Sequence, residues 1–216
     1  MTLLYELTNS WEKPARMRVV ENFSGDALDT NIWLYNLLNG TGAGAIADAV
    51  DGGYTMNSTA TGGVSESITT FNDIRQFNHL GASFICSMKS VTVNNTLSVM
   101  GSRCGFKRTN SDGFNAGNFA AVLKNTGNVN YRAYTASSAS GTNSTDTNIY
   151  QDTDWHIWKG ELNGTSYILS GDGVQSTTST TKLPTLALQP FIYHYGYQPN
   201  AGSCTSSFNY YEAWNH

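Results

Sequence analysis

Charge is scarce in this chain: 13% of the 216 residues are Asp, Glu, Lys or Arg, against roughly 25% in an ordinary soluble domain. Glutamate occurs only six times and proline only four. A helical bundle, which draws on Ala, Leu, Glu, Lys and Arg, is therefore disfavoured. With 12 basic and 16 acidic residues the net charge is −4. The Lys/Arg excess of a nucleic-acid-binding surface is missing. No apolar run approaches the roughly 20 residues that span a bilayer, so neither nucleic acid nor membrane is expected as a partner. The start of the chain lacks a basic opening and an apolar block of signal-peptide length, and Glu6 and Glu12 interrupt it. Synthesis in a cytoplasm is expected. The three cysteines, Cys86, Cys104 and Cys204, are odd in number and form no CxxC spacing, in keeping with that expectation.

What is abundant is neutral polarity. Thr, Ser, Asn and Gly together make up 90 of the 216 residues. Aromatics at 12% and hydrophobics at 39% suffice to fill a core, which excludes a disordered chain. The six Asn-x-Ser/Thr triplets, at Asn22, Asn39, Asn57, Asn94, Asn143 and Asn163, are close to the roughly five that composition alone produces, and carry no weight as glycosylation sites.

From Met17 onward, alternating or apolar runs recur between turn residues. They predict strands over 18–24, 53–58, 64–70, 82–90, 97–107, 118–124, 129–135, 155–162, 165–170, 190–197 and 205–214. In the run 82–90, Ala82, Phe84, Cys86 and Met88 share one face, while Ser83, Ile85 and Ser87 share the other. Asn163-Gly164 separates two such runs and predicts a hairpin closed by a type I′ turn. Many short strands without a convincing helix or internal repeat imply two packed antiparallel sheets. Gly40-Thr41-Gly42-Ala43-Gly44-Ala45 matches a phosphate-loop spacing. The helix which that mechanism requires does not follow, so the stretch reads as a loop.

Residues 1–20 differ from the rest. They show no alternation and almost no glycine, and they carry Leu3, Leu4, Tyr5, Trp11, Lys13, Arg16 and Arg18. Apolar anchors with basic neighbours are the composition of a docking contact. These seven residues are the candidate partner-binding set, on an N-terminal arm preceding one domain over 21–216.

Three segments resemble the concanavalin A-like lectin and glucanase jelly roll, including laminin G-like modules. Glu21 to Trp33 is similar to the F-x-G-x-x-L-D-x-x-x-W opening of those domains, with Phe23, Gly25, Leu28 and Trp33 in place. Asp154 to Leu162, followed by Tyr167 to Gly173, looks like the W-H strand and its D-G partner. Phe208 to Trp214 is similar to the final strand, which returns beside the first. The resemblance implies an all-β, antiparallel two-sheet jelly-roll sandwich with a short N-terminal arm. A further set of phrases, FSGDALDTNIW, ADAVDGGY, FNDIRQFNHLGA and LPTLALQPFI, resembles virion proteins of tailed phages that carry this jelly roll.

Glycoside hydrolases also belong to the jelly-roll family, with their carboxylates on one strand as E-x-D-x-E or E-x-D-x-x-E. This chain has no such run: Glu66, Glu161 and Glu212 each stand alone, and Asp152 with Asp154 reads as a turn. No catalytic residue and no enzyme are expected. No metal or other cofactor is expected either: His79, His156, His194 and His216 are unclustered, and Asp26/Asp29 or Asp48/Asp51 read as turn aspartates before calcium ligands. The aromatics Tyr193, Tyr195, Tyr197, Tyr210, Tyr211, Trp158 and Trp214 suit a sugar-stacking surface, but their period of two equally describes a core, where most of them are expected. The resulting expectation is a structural virion protein made in the host cytoplasm. It would be a capsid decoration or cement protein that binds the major capsid protein or other virion proteins at multi-subunit junctions, which a homotrimer would suit. A carbohydrate-binding module of a phage tail or fibre is the alternative.

Overall fold

The computed structural model describes residues 17–25, 27–40, 42–46, 53–58, 63–71, 77–93, 99–109, 117–125, 127–137, 141–198 and 203–216. These form fifteen strands: β1 (Arg18–Glu21), β2 (Trp33–Asn39), β3 (Gly42–Ile46), β4 (Tyr54–Ser58), β5 (Gly63–Phe71), β6 (Ala82–Val93), β7 (Val99–Lys107), β8 (Phe119–Asn125), β9 (Asn130–Ser137), β10 (Gly141–Tyr150), β11 (His156–Leu162), β12 (Tyr167–Gly171), β13 (Val174–Ser179), β14 (Gln189–Gln198) and β15 (Ser203–Asn215). All pair antiparallel, in two sheets. The eight-stranded sheet runs β13-β12-β11-β6-β15-β4-β3, and the seven-stranded sheet runs β10-β9-β8-β7-β14-β5-β2. The eighth strand, β1, shares an edge of β15 with β4: β4 takes Cys204 to Phe208 and β1 takes Tyr211 to Trp214.

The sandwich interior follows from the alternation. Phe84, Cys86, Met88, Trp158, Leu169, Phe208 and Tyr211 of the eight-stranded sheet meet Cys104, Phe106, Val122, Tyr131 and Ile192 of the other. Each large aromatic removed from water contributes roughly 1.5–3 kcal/mol. The opening segment docks as its motif implies. Phe23 and Trp33 are buried with ring centroids 5.7 Å apart. The buried Glu21 carboxylate accepts hydrogen bonds from the Phe23 amide (2.8 Å) and Trp33 Nε1 (3.2 Å). That clasp holds Phe23 at φ 48°, a conformation a bulky residue rarely adopts.

A polar stripe crosses the same interior. His194 on β14 bonds Ser206 Oγ through Nδ1 (2.7 Å) and Ser58 Oγ through Nε2 (3.2 Å). Ser206 meets Ser102 at 2.5 Å, and Ser90 donates to Ser102 at 2.8 Å. Burial pushes His194 down to about 4, so the ring is neutral at ordinary pH. Cys86 on β6 and Cys104 on β7 form a disulfide that joins the two sheets, and the buried Cys204 is not part of it. The odd number of cysteines gave no hint of this pair.

Several expectations need correction. The glycine-rich stretch contains β3 and is an edge strand, not a loop: Gly42–Ile46 pairs with β4. The hairpin after β11 exists, but Asn163 does not have a positive φ; Gly164 alone does, at 84°. The turn is instead built on the Asn163 side chain, whose Oδ1 accepts from the amides of Thr165 (3.1 Å) and Ser166 (2.8 Å). The type I′ pair lies one turn later, at Asp172-Gly173, with φ of 51° and 80°. Arg18, expected on the arm, opens β1, where it ion-pairs with Glu212 at 2.8 Å. Leu3, Leu4, Tyr5, Trp11, Lys13 and Arg16 lie outside the described residues, as do Asp26, Asp48 and Asp51.

Candidate functional site on the seven-stranded sheet

Alternation along the seven-stranded sheet sends a second set of side chains away from the sandwich interior. Glu66 and Ile68 (β5), Phe191, Tyr193 and Tyr195 (β14), Arg103 and Lys107 (β7), Phe119, Ala121 and Leu123 (β8), and Tyr134 and Ala136 (β9) share this outer face. The pairings Tyr193↔Ile68, Tyr193↔Arg103, Arg103↔Leu123 and Tyr195↔Glu66 fix their rows. The apolar members form two clusters separate from the main core.

This face is largely closed to solvent. Arg103 is 1% exposed and Tyr193 1%, while Glu66 and Tyr195, in the adjoining row, are half-buried. The Arg103 guanidinium lies 4.4 Å from the Tyr134 ring centre, 5.1 Å from Phe119 and 5.4 Å from Tyr193. It is therefore boxed by three rings whose negative faces favour a cation. Burial lowers Arg103 to about 10, opposed by Tyr134, Tyr193 and Glu66, so it stays charged at neutral pH. Tyr193 donates its phenolic hydrogen bond to Glu66 Oε1. Burial first, and then that carboxylate, push the phenol well above its ordinary value. The result is a carboxylate, a phenol and a guanidinium drawn from three adjacent strands. Central strand β7 offers Gly101, Arg103 and Gly105 outward, none of them a carboxylate.

The other glutamates go elsewhere. Glu212 accepts from Arg18 and Tyr210, and Glu161 pairs with Lys159 at 3.0 Å, both on the outer side of the eight-stranded sheet. Of the candidate aromatics, Trp158 and Tyr211 are in the sandwich interior. Tyr193 and Tyr195 face outward with the smaller cluster, and Tyr210 and Trp214 are half-buried on the eight-stranded sheet. Trp158, Tyr193 and Tyr211 are thus buried as expected of core residues and Tyr195 packs against the smaller cluster, but the period of two does not say which side of a two-faced sheet it marks. Arg103 is not among the sequence candidates. The signal available was a lone cation within the otherwise apolar or small run Val99 to Phe106.

No protein-family model matches the sequence, and no match is found among characterised proteins. The fold itself is that of the concanavalin A-like jelly-roll sandwich. The chain superposes on a β-glucanase of Bacillus licheniformis with a TM-score of 0.59 at 12% identity, covering 92% of this chain and 98% of that one. An endo-β-galactosidase from Clostridium perfringens gives 0.65 at 14%, covering 96% of this chain and 64% of that one. A β-1,3-glucanase from Mycobacterium marinum gives 0.58 at 11%, covering 90% and 97%.

These findings correct two expectations. A capsid decoration protein is not supported: the structures named above that share the fold are a β-glucanase, a β-1,3-glucanase and an endo-β-galactosidase. The exclusion of an enzyme, drawn from the missing E-x-D-x-E run, falls with it. Side chains from separate strands can assemble a reactive group where no single strand carries the run.

Proposed function

We propose that the chain is carbohydrate-active and takes a β-linked polysaccharide, of the glucan or galactan kind, at the half-buried Glu66–Tyr195 margin of the outer face of the seven-stranded sheet. The observation that carries this reading is the Glu66–Tyr193 pair, a carboxylate held by a phenol where the face passes from buried to half-buried. Glycoside hydrolysis requires a group that gives or takes a proton at the glycosidic oxygen or at the attacking nucleophile. Glu66 has that capacity. The neighbouring phenol fixes the carboxylate's orientation, and Arg103 supplies positive charge on the same face. The fold shared with β-glucanases and an endo-β-galactosidase supports the substrate class.

The test is release of reducing ends from β-1,3-glucan, mixed-linkage β-1,3-1,4-glucan and β-galactan by the full chain and by Glu66→Gln. We expect cleavage of at least one polymer, with a loss of about 100-fold or more in the variant, the scale on which acid–base groups act, and an unchanged melting temperature. Equal cleavage by Glu66→Gln would remove the carboxylate from the reaction. Binding without cleavage would leave a recognition face without chemistry, and neither binding nor cleavage would overturn the proposal.

A further inference from the structure

A cavity lies away from the outer face of the seven-stranded sheet. It has a volume of about 370 Å³ and is lined by Ser90, Lys124, Asn128, Val129, Tyr150, Gln151, Asp152 and Thr153. That is near the lower end of the ~300–1,000 Å³ usual for small-molecule sites. Its floor is an interior cation. Lys124 follows Ala120 and Val122 on the inward side of β8 and is 6% exposed. Its ammonium donates to the carbonyls of Ser90 (2.8 Å) and Asp152. Among the described residues these two bonds use two of its three N–H donors. Burial pushes Lys124 down to about 8, with Asp152 opposing, so it is an ammonium at neutral pH.

The walls carry uncommitted groups as well. Asp152 uses Oδ1 for the Asp154 amide (2.8 Å) and His156 Nε2 (2.9 Å), and among the described residues no hydrogen bond reaches Oδ2. Gln151 spends Nε2 on the Asn130 carbonyl at 2.7 Å, and among the described residues no hydrogen bond reaches its side-chain oxygen. The Asn128 backbone amide bonds Asn125 at 2.8 Å, and among the described residues no hydrogen bond involves its side chain. At the rim stand Tyr150, 65% exposed, and Val129, 69% exposed, held together by the bond from the Gln151 amide to the Val129 carbonyl at 2.9 Å.

We propose that this cavity is a second glycan-binding site that takes a single neutral sugar ring, stacked on Tyr150 and hydrogen-bonded by Lys124, Asn128, Gln151 and Asp152. An exposed aromatic beside donors and acceptors of both kinds is what vicinal hydroxyls on a flat apolar ring require. The local charge selects against an acidic sugar. Asp152 and Asp172 flank His156, and these two with Asp154 all act on Tyr131, whose ring lies 5.9 Å from the Lys124 ammonium. The ligand class rests on the carbohydrate-active reading, whereas the residues are independent of Glu66.

The test measures binding of methyl β-glucoside, methyl β-galactoside, cellobiose and glucuronate by ligand-observed NMR and calorimetry. The proteins compared are the full chain, Tyr150→Ala, Asn128→Ala, Lys124→Met and Glu66→Gln. We expect millimolar binding of at least one neutral sugar, weakened at least fivefold by Tyr150→Ala and by Asn128→Ala, and unchanged by Glu66→Gln. Both wall variants alter exposed or half-buried side chains, so the result does not hang on whether Lys124→Met folds. No binding of any neutral sugar, binding indifferent to Tyr150 and Asn128, or preference for glucuronate would each overturn the site. Hydrolysis lost in Glu66→Gln while Tyr150→Ala changes nothing would sink this cavity and spare the outer-face reading; the reverse pattern would do the opposite.

Discussion

The two outer faces of the sandwich are built from the same alternating pattern and differ in what they keep dry. On the eight-stranded sheet the outward positions hold Arg18 paired with Glu212, Lys159 paired with Glu161, and Ile157 at 57% exposure. This is an ordinary wet surface, where single apolar residues need no special account. On the seven-stranded sheet the outward positions hold Arg103, Phe119, Tyr193, Phe191 and Ile68, all at 1% exposure or less. A charge there has lost its water and relies on rings and a nearby carboxylate. The difference shows that one face is only the outside of a core, while the other is a second interior, where charge has consequences.

Substitution can break that contrast. Arg103→Ala removes the cation from its three rings and leaves a hole, and should lower unfolding free energy by about 3 kcal/mol, measured by urea denaturation. A loss under about 0.5 kcal/mol would mean that the two faces are energetically alike.

Acid separates the two sheets in the same sense. His194, on β14, is depressed to about 4 by burial, below its ordinary unfolded value of roughly 6.5. The unfolded chain therefore binds the proton first. As pH falls from about 6.5 toward 4, stability should drop by on the order of 3 kcal/mol. His156, on β11, behaves oppositely. Burial works against its charge, but hydrogen bonds to Asp172 and Asp152 outweigh it and raise the titration. Its contribution is fully present below the unfolded value and is lost as pH rises through the raised one. Comparing His156→Gln with the unaltered chain should show a stability gap at pH 5 that narrows by pH 8. A gap that widened would reverse the assignment.

A smaller effect is expected on the β11–β12 hairpin. Gly164→Val places a branched side chain at φ 84°, with its Cβ 3.1 Å from Leu80, and should cost about 1 kcal/mol or more. An unchanged melting temperature would show that the backbone can leave the left-handed region. Smallest of all, Arg18→Ala should stay within about 0.5 kcal/mol, because its pair is exposed on one side.

How far the sequence can be read depends on position in the sheet. The eleven anticipated runs all overlie strands, and the four missed strands are β2, β3, β10 and β13, which are the four outer strands of the two sheet orders. Such strands carry weak alternation because little obliges them to. β10 turns Asn143 toward Ser179 and Thr147 toward the Tyr131 carbonyl, polar contacts that hydropathy does not register. β3 is made of glycine and alanine but for Ile46, and β2 exposes Leu34 and Leu37. Interior strands are legible because burial forces a period of two. The candidate site was not legible: Glu66 and Tyr193 are 127 residues apart, and only strand order and register bring them together. Lys124 was hidden likewise, since an alternating strand position says that a side chain points inward but not that a carbonyl awaits it there.

The disulfide between Cys86 and Cys104 carries one more implication. Neither cysteine is exposed, and exchange requires a thiolate to reach a sulfur directly. Once the sandwich has closed, reductants and oxidants are alike shut out. The redox state of this pair thus changes only as fast as the sandwich opens, and is readable by alkylating the denatured chain.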